Sequence, residues 1–376
     1  MSNQPFVFNF LEELNYEKIL MNNTNPLELI ERLNISKKGN SRSSPKILIL
    51  TKKIDIESDL LGIQFLKNGI DYIKITEEDI PLNFHFEFKI GKSNDSILHL
   101  EKRKFNTDEI KIILFRYFDP KFLNYYSGGV YQMYFAQQWY QAFNCLPIAL
   151  DALWINNPQR TFDAENRLNQ LLSAQRLGFN IPETVITNDM EAAKRFFKRF
   201  PKSTIVKVLH HHEIYLDQKS YRFLTNKIET SHSSKFNELT YAPVIFQKRI
   251  ENDSEIRVTV VNDKAFSCRI STIKEKQDFS DLHKIKEKEL IFSEINLGKK
   301  MEKQCIKLNR ELGLHVSSID FIQNKNGELF FLEINPIGDW NWIEKHTNLP
   351  ITKSMFDFVN SLIKKDRFND SQMYYF

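Results

Sequence analysis

The stretch 316–335, VSSIDFIQNKNGELFFLEIN, restricts this chain more than any other. Two runs of β-favouring residues flank Asn326-Gly327, the dipeptide most strongly biased to a tight two-residue hairpin turn. With Asn326 and Gly327 as the loop, Lys325 faces Glu328, and counting outward sets Asp320 opposite Glu333. Cross-strand partners share a face, and alternation keeps Asn335 on it. Ile319, Phe321, Leu332 and Ile334 fall on the other face. One face is therefore apolar, and the other carries two carboxylates and an amide. A solvated outer face explains the alternation but not an Asp set against a Glu, because like charges directly opposite repel. A cation between them removes the conflict. Hard oxygen donors of this kind suit Mg²⁺, an ion commonly shared with the phosphates of a nucleotide.

The rest of the chain bounds what surrounds that hairpin. A length of 376 residues predicts two or three subdomains rather than one core. The formal charge of +4 is too small to argue for a nucleic-acid partner. No apolar run is long enough to span a bilayer, and the start lacks a secretory pattern, so no membrane role is expected. Cys145, Cys268 and Cys305 are far apart and match no zinc spacing, which fits a reduced, cytoplasmic setting.

Taken in order, residues 1–44 form an appendage. Phe6, Phe10, Leu11 and Leu14 make one helical stripe, and SKKGNSRSSP follows as a linker. From Pro45, KILILT, a helix near 55–68 and DYIKIT make a β-α-β start to an α/β domain. FHFEFKI and SILHLEK form a hairpin, IKIILF (110–115) a buried strand, and 129–144 an aromatic helix. ALWINNP marks a boundary. A helix over 163–177 ends at Gly178, IPETVIT is a short strand, and Asn188 begins a helix running to about Arg199.

STIVKVL (203–209) is a strand with Lys207 at its centre, either a phosphate ligand or an edge-strand lysine in water. His210, His211 and His212 point to alternating sides and do not converge on a metal. APVIFQKRI, EIRVTVV and KAFSCRIST make a three-stranded meander, with Glu255, Arg257 and Thr259 sharing a face. Residues 274–289 form a charged loop, and helix 298–312 carries Met301, Cys305, Leu308 and Leu312 inward. After Asn335, Gly338 turns the chain beside the hairpin. Trp340 and Trp342 either pack or wall a peptide site. A helix over 351–364 closes the chain.

The run Asp320…Leu332-Glu333-Ile334-Asn335-Pro336 resembles the metal signature of the ATP-grasp ligases. Gly338-Asp339-Trp340-Asn341-Trp342-Ile343-Glu344, Leu349-Pro350-Ile351, Trp154-Ile155-Asn156-Asn157-Pro158 and Gly178…Ile181-Pro182-Glu183-Thr184 resemble a narrower group. These are the graspetide synthetases, the microviridin-type ribosomal peptide maturases. The resemblance covers residue 45 to about 365. It implies an α/β (α+β) ATP-grasp fold: an N-terminal extension and linker (1–44), a pre-ATP-grasp α/β domain (45–157), a central subdomain (158–242) and a C-terminal subdomain with the metal hairpin (243–376).

The resemblance also implies site residues. Asp320, Glu333 and Asn335 hold two Mg²⁺, for which Mn²⁺ could substitute. Lys207 binds ATP phosphates, Gln247, Lys248 and Ile250 line the adenine hinge, and Glu255 approaches the ribose. Arg257 steadies the γ-phosphate or an acyl phosphate. Arg167 stands where relatives carry a phosphate-binding Lys. Asp278-Phe279-Ser280 stands where relatives often carry Asp-x-Arg, an element facing the acceptor peptide, with Arg269 compensating for the lost Arg.

The implied reaction joins an Asp or Glu side chain of a ribosomal precursor peptide, leader plus core, to a Thr, Ser or Lys side chain of the same peptide. The implied assembly is a homodimer. Pro5-Phe6-Val7-Phe8-Asn9-Phe10-Leu11-Glu12 is similar to the leader motif of microviridin precursors, so residues 1–44 are expected to act as a leader in cis. Two other functions compete: an ATP-grasp ligase acting on amino acids or adding glutamate to a protein tail, and a weakly active nucleotide-binding scaffold that docks a peptide.

Overall fold

The computed structural model describes residues 11–13, 46–80, 83–91, 96–100, 103–118, 130–209, 213–216, 219–272 and 287–364. The expected helical stripe meets them only at Leu11–Glu13, which form a strand, β1. Phe6, Phe10 and Leu14 lie outside the described residues, as do His210–His212 and Asp278-Phe279-Ser280.

The N-terminal unit has the expected β-α-β start. Ile47–Thr51 (β2) is buried at every position, Ile56–Lys67 is α1, and Tyr72–Thr76 (β3) pairs parallel with β2. Phe84–Phe88 (β4), Ser96–Leu100 (β5) and Arg103–Asn106 (β6) make a small antiparallel sheet. Ile112–Phe115 (β7) pairs parallel with β2, Val130–Ala149 is α2, and Leu153–Ile155 (β8) completes a four-stranded parallel sheet, β3-β2-β7-β8. A sheet buried on both faces explains runs such as IIL that do not alternate. One face packs Leu48, Leu50, Ile113 and Phe115 against Phe143, Leu146, Phe84 and Leu98. The other packs Ile47, Ile49 and Leu114 with α1.

The expected single helix over 163–177 is two: Pro158–Glu165 (α3) and Arg167–Arg176 (α4), separated by Asn166. Asn166 is extended, and its side chain accepts from the N–H groups of Leu168 and Asn169, so it caps the second helix in the middle of an apolar pattern. Thr184–Thr187 (β9), Met190–Arg199 (α5), Thr204–Lys207 (β10), Glu213–Leu216 (β11), Lys219–Phe223 (β12), Asn226–Lys227 (β13) and Val244–Lys248 (β14) follow. The cap of α5 is Asp189, one residue later than expected. β13-β10-β14-β9 is an antiparallel sheet whose inner face holds Val206, Val244 and Phe246. β1 joins the β11-β12 hairpin, with Leu11 opposite Phe223.

Asn252–Val261 (β15) and Lys264–Thr272 (β16) pair through the Asn262-Asp263 turn, where Asn262 takes a φ of 53°. The expected three-stranded meander is therefore wrong in its first strand. β14 belongs to the preceding sheet, and residues 249–251 carry the chain from one sheet to the next. Leu290–Glu294 (β17), just after the expected charged loop, is a strand that pairs with β16. Gly298–Glu311 (α6), Val316–Asn324 (β18), Leu329–Asn335 (β19), Asn341–His346 (α7) and Ile351–Ile363 (α8) complete the chain. The C-terminal sheet, β17-β16-β15-β18-β19, is antiparallel throughout.

Two cores hold that sheet. On one face Ile256, Val258, Ile319, Phe321, Phe331 and Ile334 pack against α3, α4 and α6. On the other, Val261, Cys268, Ile270 and Val316 join Trp340, Ile343, Ile351, Met355 and Val359, and through them α1 and the N-terminal sheet. One apolar core thus spans the first and last units and fixes the end of the hairpin relative to both. Among the described residues no helix is long and apolar enough to cross a membrane.

Candidate active site

The 316–335 hairpin pairs Asp320 with Glu333 as expected, but by a different route. The loop is three residues, Lys325 to Gly327, rather than two. Gly327 N donates to Asn324 O at 2.9 Å, Asn324 N donates to Glu328 O at 3.0 Å, and Gly327 takes a φ of 81°. That shifts the near register by one residue, pairing Phe321 with Phe331. A bulge at Leu332 then shifts it back, restoring Asp320 opposite Glu333 and Ser318 opposite Asn335. The bulge also corrects the expected core: Phe331, not Leu332, is the buried residue.

The registers of β15, β18 and β19 set Arg257, Asp320 and Glu333 in one row across three strands. Arg257 Nη1 donates to both Asp320 oxygens, at 3.2 and 3.1 Å. Asn335 Nδ2 lies 2.8 Å from Asp320 Oδ2 and 3.2 Å from Glu333 Oε1, so two carboxylates converge on one amide. Rotating that amide by half a turn sets its carbonyl oxygen at the same point. Three hard oxygen donors then face one position, which fits Mg²⁺.

Arg167 reaches this row from the side. β19 is an edge strand, and Gln170 serves as its missing partner: Nε2 donates to Ile334 O at 2.8 Å, and Oε1 accepts from Ile334 N at 3.3 Å. Arg167 lies one turn earlier on the same helix face. Its Nη1 stands 2.6 Å from Glu333 Oε2 and 3.2 Å from Gln170 Oε1. A cation in the first turn of a helix opposes the helix dipole, and Glu333 supplies the compensating charge.

Gly338 closes the row from above. A Cβ built there lies 2.4 Å from Ser318 and 3.1 Å from Arg257 Nη2. Arg257 Nη2 donates to Asp339 O at 3.3 Å, and the guanidinium lies 5.3 Å from the Trp342 ring centre. Gly338→Ala is expected to push Arg257 out of the row and lower the rate at saturating ATP by about 10²-fold, a displacement effect. An unchanged steady-state rate contradicts that packing.

Behind Asp339 sits a buried ion cluster that the sequence did not announce. Arg116 Nε lies 2.9 Å from Asp55 Oδ2, and its Nη2 lies 3.0 Å from Asp339 Oδ1 and 3.6 Å from Glu57. Tyr117 Oη lies 2.8 Å from Asp339 Oδ1 and 3.0 Å from Ile337 O, two acceptors for its one proton. Glu57 Oε1 accepts from Trp340 N and Asn341 N, both at 3.0 Å, and so caps α7. Burial alone raises the Asp55 carboxyl, but Arg116 and the Thr51 hydroxyl outweigh it and hold Asp55 below the usual carboxylate range. Burial, then the Asp339 charge, raises Glu57. Burial and Asp339 likewise raise the Tyr117 phenol. The missed signal was Arg116 directly after the buried strand β7, since the carboxyl ends of parallel strands are where α/β sheets build sites.

Asn156 ties the open end of the hairpin down. Its Nδ2 donates to Val316 O and Pro336 O, at 2.8 and 2.9 Å, and its Oδ1 accepts from His315 N and Val316 N. Trp340 proves to be packing: it is buried, and Nε1 donates to Thr352 Oγ1 at 3.0 Å.

The remaining expected residues divide. Lys207 stands at the end of β10, not its centre, and shares with Ile245 and Gln247 the sheet face opposite the Val206–Phe246 core. Gln247 is buried and donates to Thr184 Oγ1 at 2.9 Å. The Lys248 side chain lies on the core side, 5.3 Å from the Phe200 ring centre, so its side chain does not join Gln247. Ile250 is half-buried just past the strand, and Glu255 lies on the Arg257 face. Arg269 pairs with Ile256, on the face of the sheet opposite the carboxylate row, and its Nη2 donates to Gln323 Oε1 at 3.0 Å. Asp278 lies outside the described residues.

Comparison with known proteins places the fold. Residues 164–359 match a family described as the RimK-like ATP-grasp domain. Probable alpha-L-glutamate ligases of Vibrio vulnificus are 28% identical over 142 residues, 37% of this chain and 45% of theirs, so the match spans less than half of those relatives. The fold superimposes on the macrocyclase MdnC of Microcystis aeruginosa, bound with precursor peptide MdnA (TM-score 0.74, 22% identity, 84% of this chain and 99% of that one). It also superimposes on a Chryseobacterium gregarium RiPP-associated ATP-grasp ligase in complex with ADP and a leader and core peptide (TM-score 0.73, 25% identity, 84% and 97%).

Proposed function

This chain belongs to the RimK-like ATP-grasp family, and on that premise we propose that it is an ATP-dependent peptide macrocyclase. It joins Asp or Glu side chains of a ribosomal precursor peptide to Thr, Ser or Lys side chains of the same peptide. The observation that carries the chemistry is the row of Arg257, Asp320 and Glu333, met by Arg167 at 2.6 Å. The closeness of the fold supports a peptide substrate. The two peptide-bound ligases superimpose at TM-scores of 0.74 and 0.73, against 0.53 for D-alanyl-alanine synthetase A of Vibrio cholerae.

A carboxylate is a poor electrophile until its oxygen becomes a leaving group. Asp320, Glu333 and Asn335 would hold Mg²⁺, two ions or Mn²⁺ in their place, which when bound neutralises phosphate charge as a Lewis acid. Arg257 and Arg167 donate to the γ-phosphate oxygens as charge moves onto them, and Lys207 holds the phosphate chain from the facing sheet. Gln247, Ile250 and the backbone at Lys248 line the adenine, and Glu255 receives the ribose hydroxyls. The substrate carboxylate oxygen bonds the γ-phosphorus as its bond to the bridging oxygen breaks, and ADP leaves. A hydroxyl or amine then attacks the acyl carbon, its proton passes to solvent and phosphate departs. The product is an ester or amide, with one water removed overall. Asp278 belongs to the element that faces the acceptor segment.

Measuring ADP release with a leader-plus-core peptide against release with free glutamate tests the substrate class. Stimulation by the peptide supports the proposal. Stimulation by glutamate alone favours the glutamate-ligase reading, which the 28% identity to those enzymes supports.

Residues 1–44 act as a leader in cis within this proposal. The observation behind it is the pairing of Leu11–Glu13 with Tyr221–Phe223. Tethering raises the effective concentration of a weak ligand. Deleting residues 1–44 is expected to make modification of a leaderless core peptide depend on added leader. Equal rates for truncated and full-length chains exclude the idea. A homodimer in a reduced, cytoplasmic compartment completes the proposal; the three cysteines form no disulfide.

A further inference from the structure

The two arginines of the row contact the same oxygens that the metal needs. Arg167 Nη1 lies 2.6 Å from Glu333 Oε2, and Arg257 Nη1 lies 3.1 Å from Asp320 Oδ2. These four side chains are 14 to 26% exposed, so their charges are only partly screened by water. Two guanidiniums and two carboxylates sum to zero. Adding a divalent ion alone leaves a surplus of positive charge in a partly buried site, which is costly. Adding two such ions with a nucleoside triphosphate, which carries roughly four negative charges, returns the sum to about zero and offers both arginines phosphate oxygens in place of carboxylates.

Arg167 is the group best placed to move. It sits in the first turn of α4, where the helix dipole disfavours a cation. Its long side chain, rather than its backbone, carries the guanidinium to Glu333. Arg257 is held further by Asp339 O and the Trp342 ring, so it has partners that persist when Asp320 turns to a metal.

We infer that Arg167 is an exchange residue: its guanidinium competes with the divalent ion for Glu333 and gives the carboxylate up to the ion only when nucleotide phosphates arrive to receive it. The site therefore rejects free divalent metal and takes metal and nucleotide together. This inference rests on the metal reading of Asp320 and Glu333 proposed above.

The test is equilibrium binding of Mn²⁺ to the full chain, read from loss of the free-ion paramagnetic resonance signal, with and without a non-hydrolysable ATP analogue. In the absence of nucleotide, Arg167→Gln is expected to bind Mn²⁺ at least about tenfold more tightly than the parent, the scale of effect of a group that touches a metal ligand. Arg167→Lys retains the charge and is expected to retain most of the suppression, which separates loss of competition from misfolding. With the analogue present, Arg167→Gln is expected to bind nucleotide more weakly than the parent. Mn²⁺ binding no tighter in Arg167→Gln than in the parent overturns the exchange role. Unaltered binding of Mn²⁺ with the analogue in Glu333→Gln overturns instead the metal reading beneath it.

Discussion

Replacing Arg116 by methionine is expected to destabilise the protein by about 3–5 kcal/mol, the range for leaving a buried charge without its partner. Methionine keeps most of the volume, so the loss is electrostatic rather than a cavity. Asp55 and Glu57 are both buried, and both lose the cation that Arg116 places at 2.9 and 3.6 Å. The effect reaches the site, because Arg116 and Tyr117 hold Asp339, whose carbonyl receives Arg257. Chemical denaturation measures the first effect and the steady-state rate the second. Asp55→Asn in the same chain removes one stranded carboxylate, so the double variant is expected to lose less than the sum of the two single variants. Strict additivity would show that Arg116 and Asp55 do not act as a pair.

Arg257→Ala is expected to lower the turnover rate by about 10³-fold or more, the scale of an arginine that stabilises a transferring phosphoryl group. Nucleotide affinity should change far less, because Lys207, Gln247 and the hinge stand on a different sheet. Arg257→Lys is expected to recover little. A lysine cannot donate to Asp320 from Nη1 and to the Asp339 carbonyl from Nη2 at once, as the planar guanidinium does. Single-turnover kinetics with a preformed nucleotide complex separates these effects. A rise in the Michaelis constant for ATP with an unchanged rate would make Arg257 a binding residue only.

The parts of the site legible in sequence are those set by short-range pattern. Asp320 opposite Glu333 follows from alternation around one turn, and the expectation holds although the loop is one residue longer than expected. The bulge at Leu332 cancels the error, and a bulge leaves no mark in a hydrophobic pattern. Gly178, Gly313 and Gly327 all take positive φ where a helix or a hairpin turns, as their positions indicate.

What escaped reading depends on distant partners. β14 and β15 are consecutive and look like one meander, yet tertiary pairing assigns them to different sheets. β17 is only five residues long and follows a charged run, and its pairing with β16 makes it a strand. Arg116 meets Asp339, and Gln170 meets Ile334, across long stretches of chain. No periodicity encodes such pairs. One position along β16 decides which face Arg269 serves.

Ligation within a peptide, driven by the Asp320–Glu333 row, leaves a signature in mass. The most direct test is the intact mass of a precursor peptide, leader and core, after incubation with enzyme, ATP and Mg²⁺. Loss of about 18 Da per ring is expected, one water for each ester or amide formed through a displaced phosphate, and no loss with Asp320→Asn or Glu333→Gln. Peptide that keeps its mass while the same enzyme consumes ATP with free glutamate would contradict it.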